Sequence, residues 1–227
     1  MATESIDTSS AYKVDYTSEN VVNAWQSKRL HMIRVEVGDE RIRKALAGIQ
    51  QDPVVTALAS SAALQPVGKI DLDGQISAIS NALLGVAIAL RPEEAKSRAH
   101  PVGHDPDHKS VVIIGSMALG WGGLSPRTAH HRTASMGITL AREWQDRGYG
   151  GEAINWMLDW AFGHAGLHTV SLSAADFNQR GIHLYKKLGF RVEGRRRETI
   201  YFNRGWHDEI EFGITEHEWE ALRQRKV

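Results

Sequence analysis

The stretch Gln145-Asp146-Arg147-Gly148-Tyr149-Gly150-Gly151-Glu152-Ala153 constrains this chain most. Before it, Met136-Gly137-Ile138-Thr139-Leu140 is short, largely apolar and partly β-branched, the pattern of a strand end. After it, Ala153, Ile154, Met157, Leu158, Ala161 and Phe162 recur at three- and four-residue spacing, the pattern of an amphipathic helix. The order is therefore strand, glycine-rich turn, helix. Glycines lack a Cβ and let backbone N–H groups crowd around a bound anion, and the positive end of the helix dipole points at the same place. The expected occupant is a phosphate-bearing ligand.

Spacing narrows the kind of phosphate site. A Walker loop requires Lys and then Ser or Thr after its second glycine, and Gly151-Glu152 stands there instead. The dinucleotide fingerprint would accept Gly148, Gly150 and Ala153 but needs an early βαβ unit, which is missing. The spacing that fits is Gln/Arg-x-x-Gly-x-Gly/Ala, here Gln145, Gly148 and Gly150. Alone, that spacing also suits a tight turn with no ligand. A second block follows one strand later, Asn178-Gln179-Arg180-Gly181-Ile182-His183-Leu184-Tyr185-Lys186-Lys187-Leu188-Gly189-Phe190. Together the two blocks resemble the GNAT N-acetyltransferase superfamily. The first resembles its acetyl-CoA pyrophosphate loop, the second its Asn-x-x-(Ala/Gly)-x-x-x-Tyr-x-x-x-Gly-Phe helix. The resemblance runs from Arg29 to Ile214, and Gly189, Phe190, Glu193 and Gly194 resemble the branch that includes ribosomal-protein N-terminal acetyltransferases.

Composition excludes several classes. The 227 residues suit one large domain, expected over 21–227 behind a flexible polar arm over 1–20. Lys plus Arg and Asp plus Glu both number 27, so no global charge draws the chain to nucleic acid or an anionic membrane. The absence of cysteine rules out a disulfide framework, a thiolate metal site and a Cys nucleophile. The polar start has no signal-like apolar region, and no run approaches the ~20 apolar residues of a membrane helix. A soluble cytoplasmic protein is expected, monomer or homodimer, with neither nucleic acid nor membrane as partner. His100, His104 and His108 are spaced by four, but Pro101 and Pro106 break any helix that would align them, so no metal site is expected.

Periodicity predicts strands over 29–37, 83–90, 111–119, 133–141, 168–173, 190–202 and 206–214. Helices are predicted over 40–49, from Pro53 to 60 behind the Asp52-Pro53 start, over 150–164, over 179–188 and over 216–225. Residues 60–80 read as a mixed loop that admits helix, and Asn203-Arg204-Gly205 as a hairpin turn. A strand, two helices, an antiparallel meander, a βαβ crossover and a hairpin make an α/β (α+β) order. They imply one mixed, mostly antiparallel seven-stranded sheet with helices on both faces. The resemblance adds that strands four and five are parallel neighbours splayed into a V that holds the pantetheine arm.

The resemblance implies an N-acetyltransferase with acetyl-CoA as acyl-donor cosubstrate and no metal. The acetyl group would pass directly to a primary amine of a small molecule or amino-acid-like metabolite. A peptide N-terminus is the alternative acceptor, and a non-catalytic acyl-CoA-binding module the competing class. Proximity alone supplies roughly 7–11 kcal/mol in the best cases, so direct transfer needs no covalent enzyme intermediate.

The cofactor-binding segment implied is Gln145, Asp146, Arg147, Gly148, Tyr149, Gly150, Gly151 and Glu152. N–H groups from Arg147 to Glu152 would cradle the pyrophosphate, and the backbone of Ile138, Thr139 and Leu140 would pair with pantetheine amides. Asn178 is a cofactor partner, a plain N-cap, or both. Tyr185 is the general acid that protonates the leaving thiolate, although helix spacing with Ile182 and Leu188 also suits a core tyrosine. Family members often carry Glu on the fourth strand in Ala-Glu-x-Gly; Ala134-Ser135-Met136-Gly137 puts Ser135 there. A water relay through Ser135, or His131 on the same strand, is the candidate replacement for the base. Asp208 matches an aspartate of the family's last hairpin and either orients the acceptor amine or ties the hairpin down.

Overall fold

The first strand, β1 (Leu30–Arg34), lies at one edge of a single sheet and is shorter than its alternating pattern suggests. The computed structural model describes residues 21, 23–97 and 111–224. The arm expected over 1–20 and the three spaced histidines lie outside the described residues.

Two helices follow, each started by an aspartate. In α1 (Glu40–Gln50) the Asp39 carboxylate accepts from the Arg41 and Ile42 N–H groups, and Ile42, Leu46 and Ile49 form the buried stripe. In α2 (Pro53–Ala59) Asp52 accepts from Val54 and Val55, with Pro53 needing no partner for the N–H it lacks. A third helix, α3 (Lys69–Ser80), occupies most of the stretch expected as mixed loop. Asp71 starts it by accepting from the Gly68 N–H at 2.9 Å, and Leu72, Ile76 and Ile79 are buried. The stripe is blurred in the sequence because Ile70 is 86% exposed and Gly74 interrupts it.

The sheet continues through β2 (Leu84–Leu90), buried at every position, a short helix α4 (Pro92–Ser97), β3 (Ile113–Leu119) and β4 (Thr133–Leu140). Then come α5 (Tyr149–Gly163), β5 (Thr169–Ala175), α6 (Gln179–Lys187), β6 (Arg191–Phe202), β7 (Gly205–Thr215) and α7 (Glu216–Gln224). Gly189, with φ +98°, ends α6 as expected. The hairpin turn differs in detail: Asn203 and Arg204 carry the positive φ values, +47° and +64°, and Gly205 already belongs to β7.

The seven strands lie in the order β1-β2-β3-β4-β5-β7-β6, antiparallel except where β4 meets β5. That parallel pairing covers only Thr133–Ser135 against Thr169–Ser171. Beyond Ser135 the two strands part, and Met136–Leu140 pairs with β3 alone. One edge of β4 is thus open within the sheet. Alternation assigns the faces. Gly85, Ala118 and Gly137 lie on one face, where α3 sits so close that a Cβ at Gly85 would collide with the Ile79 carbonyl. Leu140 lies on the other face, against the start of α5. Among the described residues no helix is long and apolar enough to cross a membrane.

Candidate active site

The turn between β4 and α5 has alternating handedness: Asp146 has φ +57° and Gly148 φ +82°. This aims successive N–H groups into one concavity. The N–H groups of Asp146, Arg147, Gly148, Gly150 and Gly151 donate to no described acceptor. Glu152 differs from expectation. Its N–H donates to the Gly148 carbonyl at 3.2 Å and closes the first turn of α5, so it is not available to a ligand.

Side chains of the loop hold its shape. Gln145 Nε2 donates to the Leu140 carbonyl at 2.9 Å, while Arg180 donates to Gln145 Oε1 at 2.5 Å and to Asp146 Oδ2 at 2.7 Å. Those bonds clamp the loop to the end of β4 and to α6. On its other flank, Arg29 donates from Nε to the Glu152 carboxylate at 2.7 Å and from Nη1 to the Arg147 carbonyl at 3.0 Å. Ser27 Oγ and the Arg29 N–H both donate to Glu152 Oε1 at 2.7 Å. Burial raises the Glu152 pKa, but the Ser27 and Arg29 hydrogen bonds outweigh it and hold the carboxyl below its ordinary value. The Arg29 guanidinium also lies 4.4 Å from the centroid of Tyr149, whose ring is wholly buried and whose hydroxyl donates to Glu94. Tyr149 is a support under the loop, with only its backbone at the concavity.

The open edge of β4 borders a cavity of about 510 Å³. Ile138, Thr139 and Leu140 form one wall, the loop a second, and α6 a third. Asn178 lines it and also caps α6: Oδ1 accepts from the Gly181 N–H at 3.0 Å, and Nδ2 donates to the Leu58 carbonyl of α2 at 3.2 Å. Tyr185 lines the same cavity. Its ring lies edge-on to Phe190 and Phe212 at centroid distances of 6.1 and 5.8 Å, and burial pushes its phenol pKa up. No described residue hydrogen-bonds its hydroxyl. The helix-spacing reading and the reactive reading thus meet in one side chain, with an apolar ring and a polar tip.

A second cavity of about 380 Å³ shares Val55, Ala59, Ile138 and Thr139 with the first. Its remaining walls come from α1, Thr56 of α2, the connection over 60–67, α3, β3, Gly137 and Trp121. The two chambers therefore meet across the backbone of β4 at the mouth of the V. Sequence reasoning missed polar groups of the second chamber, among them Gln50, Asp71, Gln75 and Ser116. Ser116 had one available signal, a lone hydroxyl in the apolar strand that pairs with β4.

Three expected residues stand outside both cavities. His131 is not on β4 but in the exposed 3₁₀ turn Ala129–His131 that precedes it, at the closed end of the V, its ring tilted against that of His130 with centroids 3.9 Å apart. Ser135 is exposed at the last paired position, on the same face as Gly137, where Trp121 packs over the backbone. Asp208 is engaged within the hairpin: it accepts from the Glu198 N–H at 2.8 Å and from Arg195 Nε. Arg196 pairs with Glu209 at 2.9 Å, so two of the three consecutive arginines make cross-strand ion pairs on an exposed hairpin face. At the far end of β5, His168, Glu216 and His217 come together, but Arg132 and His168 already bond the Glu216 carboxylate at 3.3 and 2.8 Å.

Residues 83–191, which include the whole loop and both motif blocks, match the family model described as acetyltransferase (GNAT) domain. Over that segment the chain is similar to acetyltransferases of the GNAT family. Spermidine N(1)-acetyltransferase of Escherichia coli (strain K12) is 31% identical to this chain over 91 residues, covering 40% of it and 49% of the relative. A putative ribosomal N-acetyltransferase of Bacillus subtilis (strain 168) is 29% identical over 91 residues, covering 40% and 50%. The alignments thus span about half the length of these curated relatives. Among solved structures, spermidine N-acetyltransferase from Vibrio cholerae, in complex with CoA and spermine, superposes with a TM-score of 0.64 at 20% identity, over 86% of this chain and 99% of that one. The GNAT fold expected from the sequence is the one observed.

Proposed function

We propose that this chain is an acetyl-CoA-dependent N-acetyltransferase acting on a primary amine of a small molecule by direct transfer. The observation that carries the reading is the junction. Asp146, Gly148, Gly150 and Gly151, whose N–H groups have no described partner, line a cavity along the unpaired edge of β4, and a second chamber shares Ile138 and Thr139 with it. A diphosphate fits the concavity because its charge meets backbone donors and the start of α5.

When bound, acetyl-CoA supplies an acyl group activated as a thioester. The loop holds the diphosphate end, and the open edge of β4 offers backbone groups to the amides of the arm. Tyr185, protonated throughout the neutral range because burial raises its pKa, gives its proton to the sulfur. In the balanced step the amine nitrogen bonds to the acyl carbon and the C–S bond breaks with its electron pair on sulfur. The nitrogen loses a proton to solvent, and solvent restores the phenol. An acceptor that binds as an ammonium first gives one proton to solvent, so that its nitrogen attacks as the neutral amine.

Thiol release from acetyl-CoA, measured across small amines and peptides, tests the proposal. Thiol release that depends on a small amine supports it. Release with peptides alone would move the acceptor to protein N-termini, and acetyl-CoA binding with no amine-dependent release would make the chain an acyl-CoA-binding module.

A further inference from the structure

The second chamber carries information about the acceptor. Among the described residues its one ionisable lining group is Asp71, with no Lys, Arg or His on the walls. The other polar groups are neutral amides and hydroxyls, among them Gln50, Gln75, Thr56 and Ser116. Gln50 stands apart. Its Nε2 is buried and has no hydrogen-bond partner among the described residues. A buried donor left unpaired is destabilising, so it favours a ligand that brings an acceptor oxygen. Trp121 sets its indole over Gly137, where an ammonium can meet the ring face.

Resting on the acetyltransferase reading, we infer that the acceptor is a hydroxylated primary amine with a single positive charge, of the amino-sugar class. Asp71 and Trp121 serve one ammonium. The amides and hydroxyls serve neutral C–OH groups, with Gln50 Nε2 donating to one of them. A polyamine fits poorly, because each further ammonium would be desolvated without a carboxylate and its methylenes offer the amides nothing. A free amino acid fits poorly for the opposite reason: its carboxylate would enter beside Asp71 and meet no cation. A cavity of about 380 Å³ has room for one sugar ring.

The test compares glucosamine, hexylamine, spermidine and alanine by thiol release at saturating acetyl-CoA, together with calorimetric titration of glucosamine into the CoA-loaded protein. The expected result is a kcat/KM for glucosamine at least about tenfold above the other three. Gln50→Leu raises the glucosamine KM about fivefold and narrows its advantage over hexylamine. Asp71→Asn, which keeps an oxygen for the Gly68 N–H, raises KM for both amines. Spermidine or alanine as the best acceptor, or a glucosamine-to-hexylamine ratio untouched by Gln50→Leu, overturns the inference. Thiol release with no amine at all would instead defeat the acetyltransferase reading, and an absence of heat with glucosamine still decides against this one.

Discussion

Arg29 holds the anion loop through Glu152. The guanidinium Nε and the carboxylate Oε2 lie 2.7 Å apart, 123 positions apart in the chain. Arg29 stands at the entry to β1, an edge strand of the sheet, and Glu152 in the first turn of α5. The same guanidinium reaches the Arg147 carbonyl and turns that C=O away from the concavity its neighbouring N–H groups form. An edge strand therefore sets the geometry of a ligand site to which it contributes no lining residue.

Removing that hold should loosen the loop more than the chemistry. Arg29→Ala is expected to raise the acetyl-CoA KM about tenfold, equivalent to ~1.4 kcal/mol, with kcat changing far less. The value lies just below the ~1.5–3 kcal/mol typical for hydrogen bonds to charged groups, because Arg29 is partly exposed. Steady-state kinetics in acetyl-CoA measure it, and an unchanged KM would separate the ion pair from the loop.

Glu152 also makes stability depend on acidity. Its folded pKa lies below the unfolded value, despite burial, because Ser27 and Arg29 hydrogen-bond the charged form. The stability it contributes is therefore fully present above the unfolded pKa of ~4.3, and is lost as pH falls from there through the lower folded value. Urea unfolding of the wild type and Glu152→Gln should show a gap that is steady near neutrality and shrinks below about pH 4. A gap that stays constant into strong acid would count against the assignment.

Gly148 and Gly150 look alike in the motif but should respond differently. Gly148 has φ +82°, and a Cβ there would sit 3.2 Å from Arg29 Nη2. Gly148→Ala should cost ~1–2 kcal/mol from the backbone alone and lower Tm. Gly150 has no such φ, and its Cβ would meet Leu184 at an ordinary 3.4 Å. Gly150→Ala should leave Tm nearly unchanged while adding a methyl to the cavity wall. Equal losses in thermal unfolding would mean that handedness is not what the motif encodes.

The loop and the sheet order were legible because short-range chemistry specifies them. Gln145, Gly148 and Gly150 announce a turn, Asp52-Pro53 and Asp39 announce helix starts, and β2 is apolar throughout. What stayed hidden depends on distance. Nothing local in Arg29 points to Glu152, and α3 was masked by the exposed Ile70. The second chamber draws Gln50, Asp71 and Ser116 from three elements whose sequences carry no shared pattern. His131 shows the opposite error: its chemistry suits a base, but the 3₁₀ turn leaves it at the closed end of the V.

Asp208 tests whether a carboxylate in the last hairpin serves substrate or fold. Hydrogen bonds from the Glu198 N–H and the Arg195 side chain hold its pKa below the usual carboxylate range. Both partners lie on the adjoining strand β6, and neither cavity reaches Asp208. Asp208→Ala should lower Tm by a few degrees and leave the acceptor KM within about twofold. A large rise in acceptor KM without loss of Tm would return it to the substrate site.

Tyr185 carries the sharpest prediction because its two roles separate cleanly. The ring packs on Phe190 and Phe212, and phenylalanine keeps that packing, so Tyr185→Phe should fold with nearly the wild-type Tm. The hydroxyl is the part that would deliver the proton. Its removal should lower kcat by ~10²-fold or more, within the usual range for a general acid, and leave the acetyl-CoA Kd almost unchanged. The pH profile gives a second reading. A phenol is the acid only while protonated, and burial raises its pKa above the ordinary ~10, so an alkaline loss of kcat from this group begins above that value. The wild type should hold its kcat through about pH 9, and the variant's low rate should lack the limb beyond it. Full turnover in Tyr185→Phe would leave the ring as core packing and hand proton delivery to water.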